Sequence, residues 1–523
     1  MGERAKMRPE IGPGEILPLV ASRFPDKVAL VCNDRRLTYR QLDEMSAAIA
    51  AALHGRGIGS GDVVSLYGQN SWEWIVSYHG TLRAGAVVNP VNVMLTHDEL
   101  RYVLSDCKAK ALFAGTAQLS TALSATEGAD SLTDFVFSPA ASSTGGVVPL
   151  AQLVDEGGDV EPPTVTLLPT DLCSIAYTSG TTGHPKGAMQ SHQSVLLNCA
   201  LTGVMHGRTA NDTIVTALPS AHVYGNVAIN STFLAGGTVI LMERFDPAMA
   251  LALIDGEQAT MFEGVPAMYS MMLSHSALSS AALTSLRCST VGGQTLPVSV
   301  LRAWEDRTTA PLLELWGMTE IAGLGATHGF YSPPVAGSIG VSLPGVQLRV
   351  ADLETGEREL GSGERGELQV RGPIVMLGYF GRPEATAEAL THDGWLRTGD
   401  VAYADSSHYF VVDRLKDMIV TAGYNIYPAE IERVIGTHSD VALVAVGRRP
   451  DDLRGEIAVA YVVPRDGAVL TKENVIDFCR DKLAAYKRPR AVVFTDALPM
   501  TSSGKVMRRK LIDMDAPELS EQS

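Results

Sequence analysis

Between residues 15 and 350 the chain alternates short apolar runs with longer segments of helical period, and no other feature limits its folding choices as strongly. The runs DVVSLYG, GAVVNPV, TIVTAL, GTVILM, ATMFEGV and RCSTVGG have strand length and strand composition. Helical patterns separate them. LTYRQLDEMSAAIAAALHGRG opens on a threonine, carries apolar residues at helical spacing and stops at glycine, and a further helix is predicted around Trp72 to Leu82. Strands joined by helical crossovers pair in parallel and are covered by helices, so the expectation is an α/β fold with a mostly parallel sheet. The stretch ASSTGGVVPLAQLVDEGGDVEPPT is rich in Gly, Ser and Pro and predicts a loop between residues 15–160 and a second alternating unit over 171–350.

From about residue 347 the texture changes. VQLRVADLETGERELGSGERGELQVRGP predicts β-hairpins with glycine turns. After YFVVDRLKDMIV comes a tail that predicts helix, two strands, helix and strand: PAEIERVIGTHSD, VALVAVG, IAVAYVVP, TKENVIDFCRDKLA and RAVVFTDAL. It reads as a separate small α+β domain starting near Arg414 to Asp417. A chain of 523 residues is too long for one core, and a division into residues 1–413, a joint at 414–417 and residues 418–523 follows.

Composition bears mainly on partners. With 42 basic and 58 acidic side chains the net charge is −16, which argues against nucleic acid but not against an anionic small ligand held by local loops. Cys32, Cys107, Cys173, Cys199, Cys288 and Cys479 form no CxxC pair and suit a reducing compartment. The start MGERAKMRPEIGPGE has no apolar signal region, and no run of about 18 apolar residues occurs, so a cytoplasmic chain without a membrane span is expected.

Residues 177–192, YTSGTTGHPKGAMQSH, carry the hydroxyls, glycines and lysine that suit a polyphosphate. A P-loop places Lys and Ser/Thr at the start of a helix, whereas here Gly187 follows Lys186 and Pro185 precedes it. The alternative is a loop in which Thr178, Ser179, Thr181 and Thr182, with Gly180, Gly183 and Gly187, wrap phosphate while Lys186 adds charge; a plain surface turn is the competing reading. Four further stretches point the same way. LWGMTE ends in a hydroxyl and a carboxylate, suited to phosphate and Mg²⁺. DGWLRTGD places Asp400 after a Thr–Gly turn, VVDRLKDMIVTAGYNIYPAEIE offers Arg414, and PMTSSGKVMRRKL presents Lys505. Each alone could be a cap or a solvated charge.

In this order, these stretches closely resemble the acyl-adenylate-forming superfamily of acyl-CoA synthetases, amino-acid adenylation domains and firefly-type luciferases, from LTYRQLDE to GKVMRRKL. The resemblance implies a large N-terminal domain of parallel-sheet β-α layers plus a β-barrel, with a small mobile α+β C-terminal domain. It also implies ATP, Mg²⁺ and coenzyme A as cofactors. By resemblance, residues 178–187 hold the β and γ phosphates, Thr319 contacts phosphate and Glu320 holds Mg²⁺. Trp316, followed by Gly317 and Met318, lies against adenine, and Gly292, Gly293 and Gln294 line the nucleotide. Asp400 and Arg414 take the ribose hydroxyls. Lys505 bridges the acid carboxylate and the α-phosphate. For the thiol step, Lys416 is the implied hinge and Gly423 with Tyr424 the implied pantetheine path. His222, in LPSAHVYG, is assigned to substrate gating. Two departures stand out: Ser220 and Ala221 replace the bulky pair common before this histidine, and Trp316 replaces the commoner tyrosine, losing its hydroxyl contact.

HVYGNVAIN has no Asp to pair an amino-acid ammonium, and the chain stops soon after Lys505, so a stand-alone CoA ligase is expected rather than a carrier-loading enzyme. The pocket segments HVYGNVAINSTF, EGVPAMYSMM, VGGQTL and WGMTEIAGLGA carry no Arg or Lys for a second carboxylate. An apolar acid is expected, with medium or long fatty and aryl acids both open. The alternatives are an adenylating enzyme serving a carrier protein or other acceptor, and a non-catalytic ligand-binding relative. A homodimer is left open as well.

Overall fold

The protein is described by a computed structural model covering residues 12–127, 135–140, 146–178, 185–422, 424–465, 467–500 and 506–515, apart from the side chains of residues 509 and 515. Two large mixed sheets carry most of the strands before residue 345. One has eight strands: Val147–Pro149, Phe135–Ser138, Ala109–Ala114, Val63–Tyr67, Val87–Val91 and Leu172–Thr178 run parallel, and Lys186–Ser191 and Gly378–Tyr379 close it antiparallel. The other has nine. Its parallel centre is Leu312–Met318, Cys288–Val291, Met261–Gly264, Thr213–Thr216, Thr238–Leu241 and Val28–Cys32.

The helices start where the sequence allows. Thr38 accepts from the Gln41 N–H and the Gln41 side chain accepts from the Thr38 N–H, closing a capping box on helix Tyr39–Gly55.

The expectation of a loop over 141–164 is overturned in part. Val147–Pro149 extends the eight-stranded sheet, and Leu150–Gly157 is a helix that buries Leu150 and Leu153 against Tyr39–Gly55. A Cβ on Gly157 would come within 1.9 Å of the Ala48 carbonyl, so this glycine permits helix contact rather than ending structure. The two alternating regions also do not form separate sheets. Val28–Cys32, near the start, pairs with Thr238–Leu241, and Leu172–Thr178 pairs back to Val87–Val91. Pairing across such separations leaves no local sequence signal.

The region from about 347, expected as β-hairpins, forms a four-stranded antiparallel sheet: Gln347–Ala351, Gly366–Arg371, Leu396–Asp405 and His408–Arg414. Its apolar face, including Leu348, Val350, Leu368 and Val370, packs in one cluster with Trp316, Leu324 and Ala326 of the nine-stranded sheet. Residues 419–494 form a further sheet, in which Ile419–Thr421, Tyr424–Ile426, Val441–Asp451 and Gly455–Pro464 are antiparallel and Ala491–Phe494 is parallel. It has its own core around Ile419, Ile431, Val446, Ala460 and Val492. All six cysteines are free and buried. Among the described residues no helix is long and apolar enough to cross a membrane.

Arg208 and Glu263 form an ion pair with both side chains buried. Arg208 also donates to the Ala228 carbonyl and the Thr232 hydroxyl, and Glu263 accepts from the Thr290 hydroxyl at 3.2 Å. Arg208→Met strands that carboxylate in the core, at a cost of about 3–5 kcal/mol, and should lower the main calorimetric transition by several degrees.

Glu314 supplies a pH-dependent term. Burial pushes it up to about 7, against the opposing pull of the Gly337 N–H and Arg433. The folded chain therefore keeps this proton above the ordinary value of 4.5. The stabilisation is full below that value and is lost as pH rises towards about 7. Glu314→Gln keeps an acceptor for the Gly337 N–H, so its thermal midpoint should match the parent at pH 5 and exceed it at pH 8.

Candidate active site

The central strands of the nine-stranded sheet run parallel, so their C-terminal ends share one edge, where loops of α/β proteins gather ligands. Residues 217–222 leave Thr213–Thr216 there, Gly292 to Gln294 leave Cys288–Val291, and Thr319 and Glu320 leave Leu312–Met318. Three stretches selected from the sequence thus meet at one edge. The turn carrying His222 is fixed by Asn70, which accepts from the Ser220 N–H and hydroxyl and donates to the Leu218 and Met242 carbonyls. Asn70 comes from the loop after Val63–Tyr67 in the other sheet, and only tertiary structure gives it this task. His222 caps helix Val223–Ala235: its Nδ1 accepts from the Tyr224 N–H at 3.2 Å.

The hydroxyl-rich stretch is flanked by two paired strands. Leu172–Thr178 and Lys186–Ser191 pair antiparallel, with Thr178 opposite Lys186. Ser179, Gly180, Thr181, Thr182 and Gly183 lie outside the described residues, as do Gly423 and Lys505. The hairpin base is tied to its surroundings on two sides. Gln190 Nε2 donates to the Thr319 carbonyl at 2.8 Å, and Gly378–Tyr379 pairs with Ala188 and Met189.

This brings in a residue the sequence reading passed over. Tyr379 donates its hydroxyl to Glu320 Oε1 at 2.9 Å, and the Lys186 ammonium lies 5.4 Å from its ring centroid. Burial, and then the Glu320 charge, push the phenol up, so it remains a donor at working pH. Burial likewise raises Glu320, and the Tyr379 hydrogen bond opposes that shift. The signal in the sequence is faint: a Gly–Tyr pair in an irregular segment, whose strand is only two residues long.

On the other side of the Thr319 turn, Asp400 is 2% exposed. Its Oδ2 accepts from the Trp316 indole N–H at 2.7 Å and its Oδ1 pairs with Arg414 Nε at 2.7 Å. The tyrosine contact that Trp316 forgoes is thus replaced by another. Gly317 enables this placement, since a Cβ there would meet the Gly323 carbonyl at 2.0 Å, and the pairing shifts register between Trp316 and Gly317. Gly292 is buried, Gly293 is exposed with φ +89°, and Met318 and Gln294 are half-buried.

Lys416 is exposed in the short 3₁₀ turn Leu415–Asp417, and Tyr424 is exposed and stacks on Tyr486 at 4.8 Å. Met500 bridges Val506 across residues 501–505, and Arg508, just beyond, pairs with Asp417 and Glu432. Among the described residues no group of three or more His, Cys, Asp or Glu side chains could hold a metal ion. A single buried carboxylate such as Glu320 does fit Mg²⁺, which takes one or two carboxylates and completes its shell with phosphate and water.

The chain belongs to the AMP-binding enzyme family, whose profile matches residues 18–380, while the profile of the AMP-binding enzyme C-terminal domain matches residues 430–505. A feruloyl-CoA synthase from Amycolatopsis sp is 38% identical over 93% of this chain and 96% of its own length. A long-chain-fatty-acid–CoA ligase from Bacillus subtilis is 33% identical over 95% and 93%. The crystal structure of the anthranilate CoA ligase AuaEII in complex with anthranoyl-AMP superposes with a TM-score of 0.89 at 25% identity, covering 98% of this chain and 99% of that one.

Tyr379→Phe removes one charge-assisted hydrogen bond from Glu320, worth about 1.5–3 kcal/mol. It should slow ATP–pyrophosphate exchange roughly tenfold or more with an unchanged far-ultraviolet circular dichroism spectrum. A variant as fast as the parent would take Tyr379 out of the site.

Proposed function

We propose that the protein is an AMP-forming acid–CoA ligase that activates an apolar carboxylic acid, fatty or aryl, as its acyl-adenylate and then transfers the acyl group to coenzyme A. The observation that carries this is the convergence of Lys186, Tyr379, Glu320 and the Thr319 turn on one side, and Trp316, Asp400 and Arg414 on the other, at one sheet edge. The names of the relatives support it, and they span an aryl acid and long-chain fatty acids.

In the first half-reaction the acid carboxylate attacks the α-phosphate and pyrophosphate leaves. Two anions must meet, so charge has to be neutralised and the attack aligned. Lys186 and the hydroxyls of residues 178–183 hold the leaving phosphates. A grip that opens suits this task because the phosphates it holds must depart after every turnover. Mg²⁺, held by Glu320, would neutralise charge on the phosphate oxygens. Asp400 accepts the ribose hydroxyls, Trp316 and the segment Gly292–Gln294 border the base, and Lys505 stabilises the charge building between carboxylate and α-phosphate.

The second half-reaction needs a thiol at the acyl carbonyl, where Lys505 stood. The small domain, residues 418–523, turns about Lys416 and replaces Lys505 with the segment of Gly423 and Tyr424, while His222 borders the acyl group. Support for a pivot comes from the separate sheet and core of residues 419–494 and from the exposure of Lys416.

Incubation with ATP, Mg²⁺ and a panel of fatty and aryl acids should release pyrophosphate only when a suitable acid is present, and AMP should be released in turnover only when coenzyme A is added as well. ADP formation independent of acid would overturn the reading. Lys505→Ala should cut adenylation by roughly a hundredfold or more while still converting a supplied acyl-adenylate to thioester. Equal loss of both steps would contradict the division of labour.

A further inference from the structure

We infer that Trp316 is a positioning residue for the nucleotide ribose: its indole N–H fixes the Asp400 carboxylate in the orientation that presents free lone pairs to two adjacent hydroxyls. This rests on the reading of Asp400 as the ribose acceptor.

The geometry is specific. The indole nitrogen lies 2.7 Å from Asp400 Oδ2, and Trp316 is 7% and Asp400 2% exposed. A carboxylate offers about four lone-pair sites. The indole N–H occupies one on Oδ2, and Oδ1 forms an ion pair with Arg414 Nε, so lone pairs remain on both oxygens, a spacing that suits vicinal hydroxyls. An indole N–H only donates. It cannot turn round to compete for the hydroxyl protons that the carboxylate has to receive.

The indole is itself immobilised. A Cβ on Gly325 would come within 2.5 Å of its ring, so the ring lies directly on that backbone and has no room to swing. The two anchors of Asp400 differ in kind. Arg414 has a side chain 41% exposed and ends the strand that leads into the Leu415–Asp417 turn, where the proposed pivot sits. Trp316 belongs to the nine-stranded sheet and is buried in its core cluster. The acyl-adenylate has to stay in place while the tail domain turns. Of the two anchors, the indole is the one whose position does not depend on that turn, so it holds Asp400 through both half-reactions.

The same bond joins a strand of the nine-stranded sheet to Leu396–Asp405 of the four-stranded sheet, so a bracing role is the competing explanation. A discriminating variant replaces Trp316 with β-(3-benzothienyl)alanine, in which sulfur takes the place of the N–H at nearly unchanged shape. Trp316→Phe serves as the genetically simple companion. ATP–pyrophosphate exchange is measured on the full chain with ATP and with 2′,3′-dideoxy-ATP, and kcat and KM are obtained for each. The expected result is a fall of roughly ten- to hundredfold in the preference for ATP, carried mainly by KM for ATP. Loss of activity equal for both nucleotides, or no change in preference, means the bond only braces the sheets and overturns the inference. Asp400→Asn is run alongside. If it leaves the preference intact, Asp400 does not hold the ribose and the underlying reading falls. If it abolishes the preference while the benzothienyl variant retains it, the role of Trp316 alone is refuted.

Discussion

The strand Leu312–Met318 outruns its neighbour, and the candidate site hangs from the overhang. Its first residues pair parallel with Cys288–Val291, and the remainder pairs antiparallel with Gly323–Thr327. The backbone hydrogen bonds of the overhang are thus satisfied by a partner that turns straight back, which a buried strand end requires. The side chains that follow the parallel edge, Trp316, Thr319 and Glu320, are held on rigid backbone rather than on a loose loop. Close approach at Gly317 to the Gly323 carbonyl makes that reversal possible.

Two neighbouring sheets then complete what the overhang begins. The hairpin of Leu172–Thr178 and Lys186–Ser191 reaches in from the eight-stranded sheet and brings Lys186, with Tyr379 attached through Gly378–Tyr379. The four-stranded sheet packs its apolar face on the same cluster and brings Asp400 and Arg414 on paired positions of adjacent strands. Burial at this junction makes each polar contact count. A carboxylate removed from water must be met by donors, and Glu320 finds the Tyr379 phenol while Asp400 finds an indole and a guanidinium.

Much of this was legible one segment at a time. Strand and helix candidates such as DVVSLYG, RCSTVGG and LTYRQLDE lie where local apolar period and capping chemistry put them, because those signals depend on residues a few positions apart. The helix Leu150–Gly157 was hidden for the same reason: its stretch is rich in Gly, Ser and Pro, and its stability comes from packing Leu150 and Leu153 against a helix a hundred residues earlier. Asn70 and Tyr379 were invisible as site residues because an asparagine in a loop and a tyrosine after glycine have no local pattern to mark them.

The sequence by itself determined where most elements form, which residue types could handle phosphate, carboxylate and ribose, and that Lys186 lacks the Ser/Thr and helix start of a P-loop, since Gly187 follows it and Pro185 disfavours helix at His184. Only the tertiary structure decided which strands share a sheet, that Val28–Cys32 crosses to Thr238–Leu241, and that Trp316 spends its N–H on Asp400. Those outcomes join residues far apart along the chain, and they are settled by burial and packing among surfaces that exist only once the separate elements have come together.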